Sequence, residues 1–160
     1  MPLIADLQRS IAHEENSIAG MTLDNSKERL AEIFTAYMLS SREVYQVRLI
    51  DDAGQEMVRV EKKGNTIVTV PNRELQNKSN RYYFKKTKEL HQGKVLVSDL
   101  DPNLEFGVIE RPLKSTLRYS TPIIQRDGTV FAIIIINVDA MALFDEINKK
   151  NNKDKFVYLN

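Results

Sequence analysis

The run Thr129-Val130-Phe131-Ala132-Ile133-Ile134-Ile135-Ile136-Asn137-Val138 constrains the fold more than any other stretch. Four consecutive isoleucines leave neither side solvated, so the segment reads as a strand buried on both faces in the middle of a sheet. Its neighbours set the class. From Val44 the pattern has period 2, and Asp52-Ala53-Gly54 is a turn signal, so 43–51 and 55–62 form a hairpin. Arg48 and Arg59 fall on its more polar face. Gly64-Asn65 turns the chain again into a β-branched strand over 66–70, which Pro71 ends. A short strand at 94–98 and a longer one at 113–124 follow, the second joined to 129–138 by Arg126-Asp127-Gly128.

Helical patterns flank these strands. Ile4, Ile11 and Ile18, with Leu7, Glu14 and Met21, recur at heptad spacing. This predicts a helix over 3–21 that packs on its own domain or pairs with its twin in a homodimer. Gly20 and Thr22 mark a break, and Asn25 with Glu28 resembles a capping box opening a second helix. That helix carries Leu30, Ile33, Phe34, Tyr37 and Met38 toward the core. Asn80 is expected to cap a short helix holding Tyr82, Tyr83, Phe84, Thr87 and Leu90, and 140–149 reads as a closing helix. Asn151 to Asp154 is a linker, and Phe156-Val157-Tyr158-Leu159 looks like the start of a further strand belonging to a longer parent protein. Hairpins dominate and no βαβ alternation appears. The expected class is α+β: an antiparallel sheet flanked by helices, divided into N-terminal helices (1–40), a sheet domain (41–149) and a linker with a strand start (150–160).

Composition excludes several functions. Lys+Arg total 23 against 22 Asp+Glu, a formal net charge of +1, so there is no bulk basic footprint for nucleic acid. No apolar run reaches the roughly 20 residues of a membrane-spanning helix, and Met1-Pro2-Leu3-Ile4 leads into a polar stretch unlike a signal peptide. Cysteine is absent, which removes disulfides, thiolate metal sites and Cys nucleophiles. Only His13 and His91 could serve imidazole chemistry, and they lie far apart in sequence. No catalytic or phosphate-loop motif is present, so no enzyme and no cofactor is expected. Asp99, Asp101, Asn103, Glu105 and Glu110 fall at calcium-loop positions, yet Leu104 stands where such a loop needs Gly and Pro102 stiffens it, so no metal site is expected.

Several separated motifs together resemble a family. They are Tyr45-Gln46-Val47-Arg48-Leu49-Ile50-Asp51 with Gly54-Gln55-Glu56 and Arg59-Val60; Leu75 through Phe84; and Pro112-Leu113-Lys114 with Arg118-Tyr119-Ser120-Thr121-Pro122 and Asp127-Gly128. Over roughly residues 40 to 140 their order resembles the extracytoplasmic Cache (PDC, PAS-like) sensor domains, in particular the membrane-distal lobe of double-Cache sensor histidine kinases. The resemblance implies a PAS-like five-stranded antiparallel sheet, a long N-terminal helix and a periplasmic location. Membrane attachment would come only through flanking spans, and the parent would be a histidine kinase or diguanylate cyclase. It also implies that 156–160 begins a second lobe.

The residues themselves point to anion recognition. A guanidinium recognises a carboxylate in a planar, bidentate way, so Arg81 with Tyr83 two positions later is the leading ligand-binding candidate. Amino-acid-binding Cache domains are similar here, with an Arg-x-aromatic motif that has Trp where this chain has Tyr83, and with an Asp where alignment places Asn137. An amide cannot neutralise an ammonium group as a carboxylate does, so this departure from the family pattern speaks against amino-acid recognition and leaves a plain organic acid open. Arg118 lies on an inner strand, where a charge needs a partner or a wet pocket, and is a second anion contact; Asp99 is a weaker candidate. The expected function is a ligand-sensing input domain for an organic acid or amino-acid-like metabolite, the alternative a dimerisation or docking module without a ligand.

Overall fold

The computed structural model describes residues 19–148, apart from Pro112 and Glu146, with side chains from Asp24 onward. The heptad stretch and the strand start after residue 150 lie outside the described residues. Helix α1 (Ala19–Ser40) is followed by strands β1 (Val44–Asp51), β2 (Glu56–Lys63) and β3 (Thr66–Thr69). A 3₁₀ turn (Asn72–Glu74) and helix α2 (Tyr82–Lys88) come next. The short strands β4 (Leu96–Val97), β5 (Asp101–Pro102), β6 (Leu104–Glu105) and β7 (Val108–Ile109) lead to the long pair β8 (Ser115–Ile124) and β9 (Val130–Asp139). A final helical stretch starts at Ala140.

The sheet runs β3-β2-β1-β9-β8-β4, with β5 also on β8, and every pairing is antiparallel. Five strands have four or more residues, and β4 and β5 extend one edge; β6 and β7 form a separate hairpin. The apolar run is central as expected: β9 lies between β1 and β8. Its isoleucines divide, however. Ile133 and Ile135 are fully buried toward α2, while Ile134 and Ile136 are half-buried on the α1 side.

Strand alternation gives the sheet two unlike faces. On one, Val47, Leu49, Val58, Val60, Ala132 and Val138 pack against Leu30, Ala31, Phe34 and Met38 of α1. On the other, Ile50, Ile133 and Ile135 meet Tyr83 and Phe84 of α2, and beyond this small apolar patch the face is polar. Three expectations require correction. Helix α1 passes through Gly20 and Thr22 without a break, so Asn25 lies inside a helix and caps nothing. Ile33 and Tyr37 are exposed, because the buried stripe of α1 runs through Leu30, Ala31, Phe34 and Met38. Helix α2 is entered from Arg81 in an extended conformation (φ −78°, ψ 136°) with no side-chain cap, in place of a cap by Asn80.

Candidate anion-binding site

The polar face is built from alternate residues of four strands. Gln46 and Arg48 project from β1, Glu56, Arg59 and Glu61 from β2, Arg118 from β8 and Asn137 from β9. Cross-strand register sets Arg48 opposite Arg59 on one side and Arg118 opposite Asn137 on the other. Two like charges directly opposed repel, so an anion must lie between Arg48 and Arg59. A bulge near Leu49 and Ile50 supplies it by turning Glu56 onto this face. The Glu56 carboxylate lies 3.1 Å from Arg59 and 3.5 Å from Arg48, and also accepts from the Gln76 backbone N–H at 2.9 Å. All three charged side chains are nearly inaccessible to water.

The cover comes from two segments. The first, 76–81, docks on the hairpin turn: Lys78 N–H donates to the Gly54 carbonyl at 2.7 Å. Gly54 has φ +88°, and a Cβ there would lie 2.6 Å from the Ser79 backbone. Glycine is required both for the turn and for this approach. The docking brings in Gln76 and the buried Lys78 and leads into α2, where Thr87 Oγ1 donates to the Tyr83 carbonyl and meets Ser120 Oγ at 2.6 Å. The second segment, 99–110, carries Asp101, which pairs with Arg118, and Asn103, whose side-chain oxygen accepts from Arg118 at 3.3 Å. It also carries Glu105, which pairs with Arg59 at 3.3 Å and Lys78 at 3.4 Å. Three carboxylates of the calcium-loop pattern, Asp101, Glu105 and Glu110, therefore face cations of the protein, and Asp99 is exposed. Among the described residues, no three His, Cys, Asp or Glu side chains are grouped to hold a metal.

Tyr83 is the focus of the cluster. The guanidinium carbons of Arg118, Arg81 and Arg48 lie 4.9, 5.5 and 5.7 Å from its ring centroid. Burial acts to raise the phenol pKa, yet the fields of Arg48, Lys78, Arg118 and Arg81 outweigh it and leave the pKa below the usual tyrosine value. Burial likewise opposes ionisation of Glu105, but Lys78, Arg48, the Gln46 hydrogen bond and Arg59 bring its pKa down to about 2. Lys78 is shifted down by burial and by Arg48. The local potential is thus strongly positive. Five cations (Arg48, Arg59, Lys78, Arg81, Arg118) share the cluster with four carboxylates (Glu56, Glu61, Asp101, Glu105). Three buried donors, the Nε atoms of Arg48, Arg59 and Arg118, have no hydrogen-bond acceptor among the described residues; that of Arg59 still lies 3.2 Å from a Glu61 oxygen as an ion pair.

Four of the five residues singled out from sequence meet here. Arg118, Tyr83 and Asn137 are buried, and Arg81 is half-buried over the Tyr83 ring, its side chain making no hydrogen bond or ion pair to the described residues. Asn137 spends both amide functions. Its oxygen accepts from Arg48 at 3.0 Å, and its nitrogen donates to Gln46 at 2.9 Å and more weakly to Tyr45 and Asn103. Asp99 is exposed outside the cluster, and Asp101 takes the place beside Arg118. Sequence reading did not single out Arg48, Glu56, Arg59, Lys78 or Glu105 as site residues. The available signal was the placement of Arg48 and Arg59 between apolar neighbours, Val47 and Leu49 on one strand and Val58 and Val60 on the other, at similar distances on either side of Gly54. An open groove of about 860 Å³ lies elsewhere, between α1 and the β2–β3 edge; its rim mixes Asp24, Lys27, Glu28 and Glu32 and converges on no such focus.

No helix among the described residues is long and apolar enough to cross a membrane, which leaves β-barrel spans unaddressed. No curated protein matches the chain. Solved structures do. The domain of a protein described as of the sensory box/GGDEF family, from Vibrio parahaemolyticus, aligns with TM-score 0.67 and 22% identity over 73% of this chain and 44% of that one. The extracellular domain described as that of histidine kinase vpHK1S-Z8 aligns with TM-score 0.68 and 23% identity, over 74% of this chain and 42% of that one. The ligand-binding domain of the Campylobacter jejuni chemoreceptor Tlp3, in complex with L-valine, aligns with TM-score 0.56 and 14% identity over 89% of this chain and 52% of that one. This chain therefore spans about half or less of each of these structures and shares their fold. The family model for the sensor domain of bacterial histidine kinases matches residues 11–156, nearly the whole sequence. By that match the chain belongs to the bacterial histidine kinase sensor domains.

Proposed function

We infer that this domain binds a small anionic metabolite on the polar face of its sheet, beneath α2, and passes the binding event to a transmembrane parent kinase. A sensor domain of this family is an input module and not itself an enzyme. The observation that carries the reading is the convergence of Arg48, Arg81, Arg118 and Lys78 on Tyr83, strong enough to lower its pKa despite burial. Arg81 has no carboxylate partner among the described residues, and of three buried guanidinium N–H groups without a hydrogen-bond acceptor, those at Nε of Arg48 and Arg118 have no carboxylate beside them either. Buried donors are nearly always satisfied, so unmet ones mark where a ligand's oxygens belong. Arg81, Tyr83, Arg118 and Asn137 are the proposed contacts, with Asp99 at most peripheral. The ligand would shift the packing of 76–88 on the sheet by its differential affinity for the two arrangements. That shift would reach the membrane through α1 and the heptad-patterned residues 3–21, through which we expect the chain to pair in a homodimer. The site would lie on the periplasmic side, and Tlp3, a neighbour in fold, was crystallised with an amino acid in its ligand-binding domain.

The test is calorimetry and thermal unfolding of the chain with a panel of carboxylic acids and amino acids. A binder at 100 times its Kd should add about 2.7 kcal/mol of stability. Arg81→Ala should remove most of that gain. A panel without a single binder overturns the reading. A second reading, a docking module without a ligand, is favoured by one observation: Val95, Val97, Leu100, Phe106, Val108 and Leu113 are all exposed within one stretch of chain. Capture of a protein partner that survives Arg81→Ala, with no small-molecule binding, would establish it instead.

A further inference from the structure

The Glu105 carboxylate is placed as a ligand's carboxylate would be. One oxygen accepts from Gln76 Nε2 at 2.6 Å, Arg59 Nη1 at 3.3 Å and Lys78 Nζ at 3.4 Å. The other accepts from Gln46 Nε2 at 3.2 Å and Asn103 Nδ2 at 3.1 Å. Five donors from three separate parts of the chain thus close on one side chain, which is four-fifths shielded from water. The element presenting it is lightly held. The β6–β7 hairpin has only two residue pairs and no strand contact with the main sheet. Most of its apolar side chains face outward: Phe106 is 70 % exposed and Val108 69 %, Ile109 is exposed as well, and Leu104 alone is half-buried. The hairpin is therefore anchored by polar contacts at Glu105, at Asn103 and between the Phe106 N–H and Gln76, with little apolar burial to retain it. Phe106 also sits at φ +50°, a left-handed conformation that a bulky residue adopts rarely.

We propose that Glu105 is a built-in occupant of the carboxylate position, and that a small dicarboxylate binds by displacing it and lifting the β6–β7 hairpin. The proposal rests on the anion-binding reading above and adds the ligand's class and the route by which it enters. A replacement carboxylate recovers the contacts that Glu105 gives up, so the exchange costs little beyond the few polar bonds at the hairpin. The charge count selects two negative charges. With Glu105 withdrawn, Arg48, Arg59, Lys78, Arg81 and Arg118 face only Glu56, Glu61 and Asp101, an excess of two cations. A monocarboxylate leaves one of them uncompensated. A dicarboxylate satisfies both, with its second group toward Arg81 and the unmet Nε atoms of Arg48 and Arg118.

The experiment uses malonate, succinate and glutarate, with acetate as the single-charge control, on the unmodified chain and on Glu105→Gln. At least one dicarboxylate should bind the unmodified chain, bind Glu105→Gln at least tenfold more tightly, and outbind acetate at least tenfold. A second measurement does not depend on the variant folding well. On the unmodified chain, the bound dicarboxylate should speed amide hydrogen exchange over 103–110 and slow it over 81–88. Equal affinity for the two proteins, with exchange over 103–110 unchanged or slowed, overturns the displacement and leaves anion binding standing. Acetate binding as tightly as the dicarboxylates, or binding by other panel members alone, overturns the assigned class. No binding by any member of either panel overturns this proposal and the reading beneath it together.

Discussion

Strands β1 and β9 carry opposite chemistries on their two sides. Toward α1 they present Val47, Leu49, Ala132 and Val138 to a packed apolar layer; toward α2 they present Gln46, Arg48 and Asn137 to a charged one. Both layers are buried, so depth does not distinguish them. The difference lies in what a lost atom leaves behind. On the apolar side it leaves a void, whose cost grows with volume. On the polar side it leaves a charge without its counter-ion, whose cost is set by desolvation and hardly by size. The first layer holds the fold together. The second holds groups that are stable only while every partner is present, a property suited to a site that must respond to an arriving charge.

The largest effect should come from the apolar layer. Phe34→Ala is expected to cost about 4 kcal/mol in urea unfolding, since it empties the centre of the α1 contact. Glu56→Gln, which conserves shape, should cost about 3 kcal/mol by removing the buried carboxylate between Arg48 and Arg59, leaving Arg48 without an ion-pair partner and Arg59 with Glu61 and Glu105 alone. A loss well under 1 kcal/mol there would break the contrast between the layers.

Acid should act on the polar layer in the same way. The Glu105 pKa is lowered from 4.5 to about 2, so its ionisation stabilises the folded state above pH 4.5, and that contribution is lost as pH falls toward 2. The amount is on the order of 3 kcal/mol at neutral pH. Urea midpoints of the unmodified chain and Glu105→Gln should therefore converge as pH falls through this window. Parallel curves would remove Glu105 from the cluster's energetics.

Gly54→Ala joins two costs, a left-handed backbone and a clash with the Ser79 backbone, and should destabilise by about 2 kcal/mol. It should also free 76–81 to exchange amide protons faster. The smallest effect on stability belongs to Arg81→Ala, at most about 1 kcal/mol, because its ring contact is partly exposed. This is the sharpest form of the comparison: the residue that matters least to folding should matter most to binding.

Much of this fold was legible from periodicity. The apolar run of β9 announced a central strand, and the Gly54 and Gly128 turns fixed two hairpins. Alternation along β8 likewise separates Arg118 and Ser120, buried on the polar face, from Leu117 and Tyr119 on the α1 side. The site was legible only in part. Arg81, Tyr83, Arg118 and Asn137 carry local signals of residue type and spacing. Glu56 does not, because a bulge turns it inward, and bulges leave little trace in an alternating pattern. Glu105 read as one acid in a polar loop, since its importance comes from Gln46, Arg59, Gln76 and Lys78, all distant in sequence. Helix boundaries failed for a related reason. Gly20 is tolerated inside a helix, and its propensity cost there is about 1 kcal/mol.

The strand order also has a bearing on biogenesis. Val44–Asp51 precedes every other described strand, yet one of its two sheet neighbours is Val130–Asp139, which follows all the others. Until then the nascent chain bears an open, aliphatic strand edge, the kind of template on which polypeptides aggregate. Completion of the sheet must therefore await synthesis of Val130–Asp139, and a ribosome that stalls between the two strands would release a product prone to stick to its neighbours.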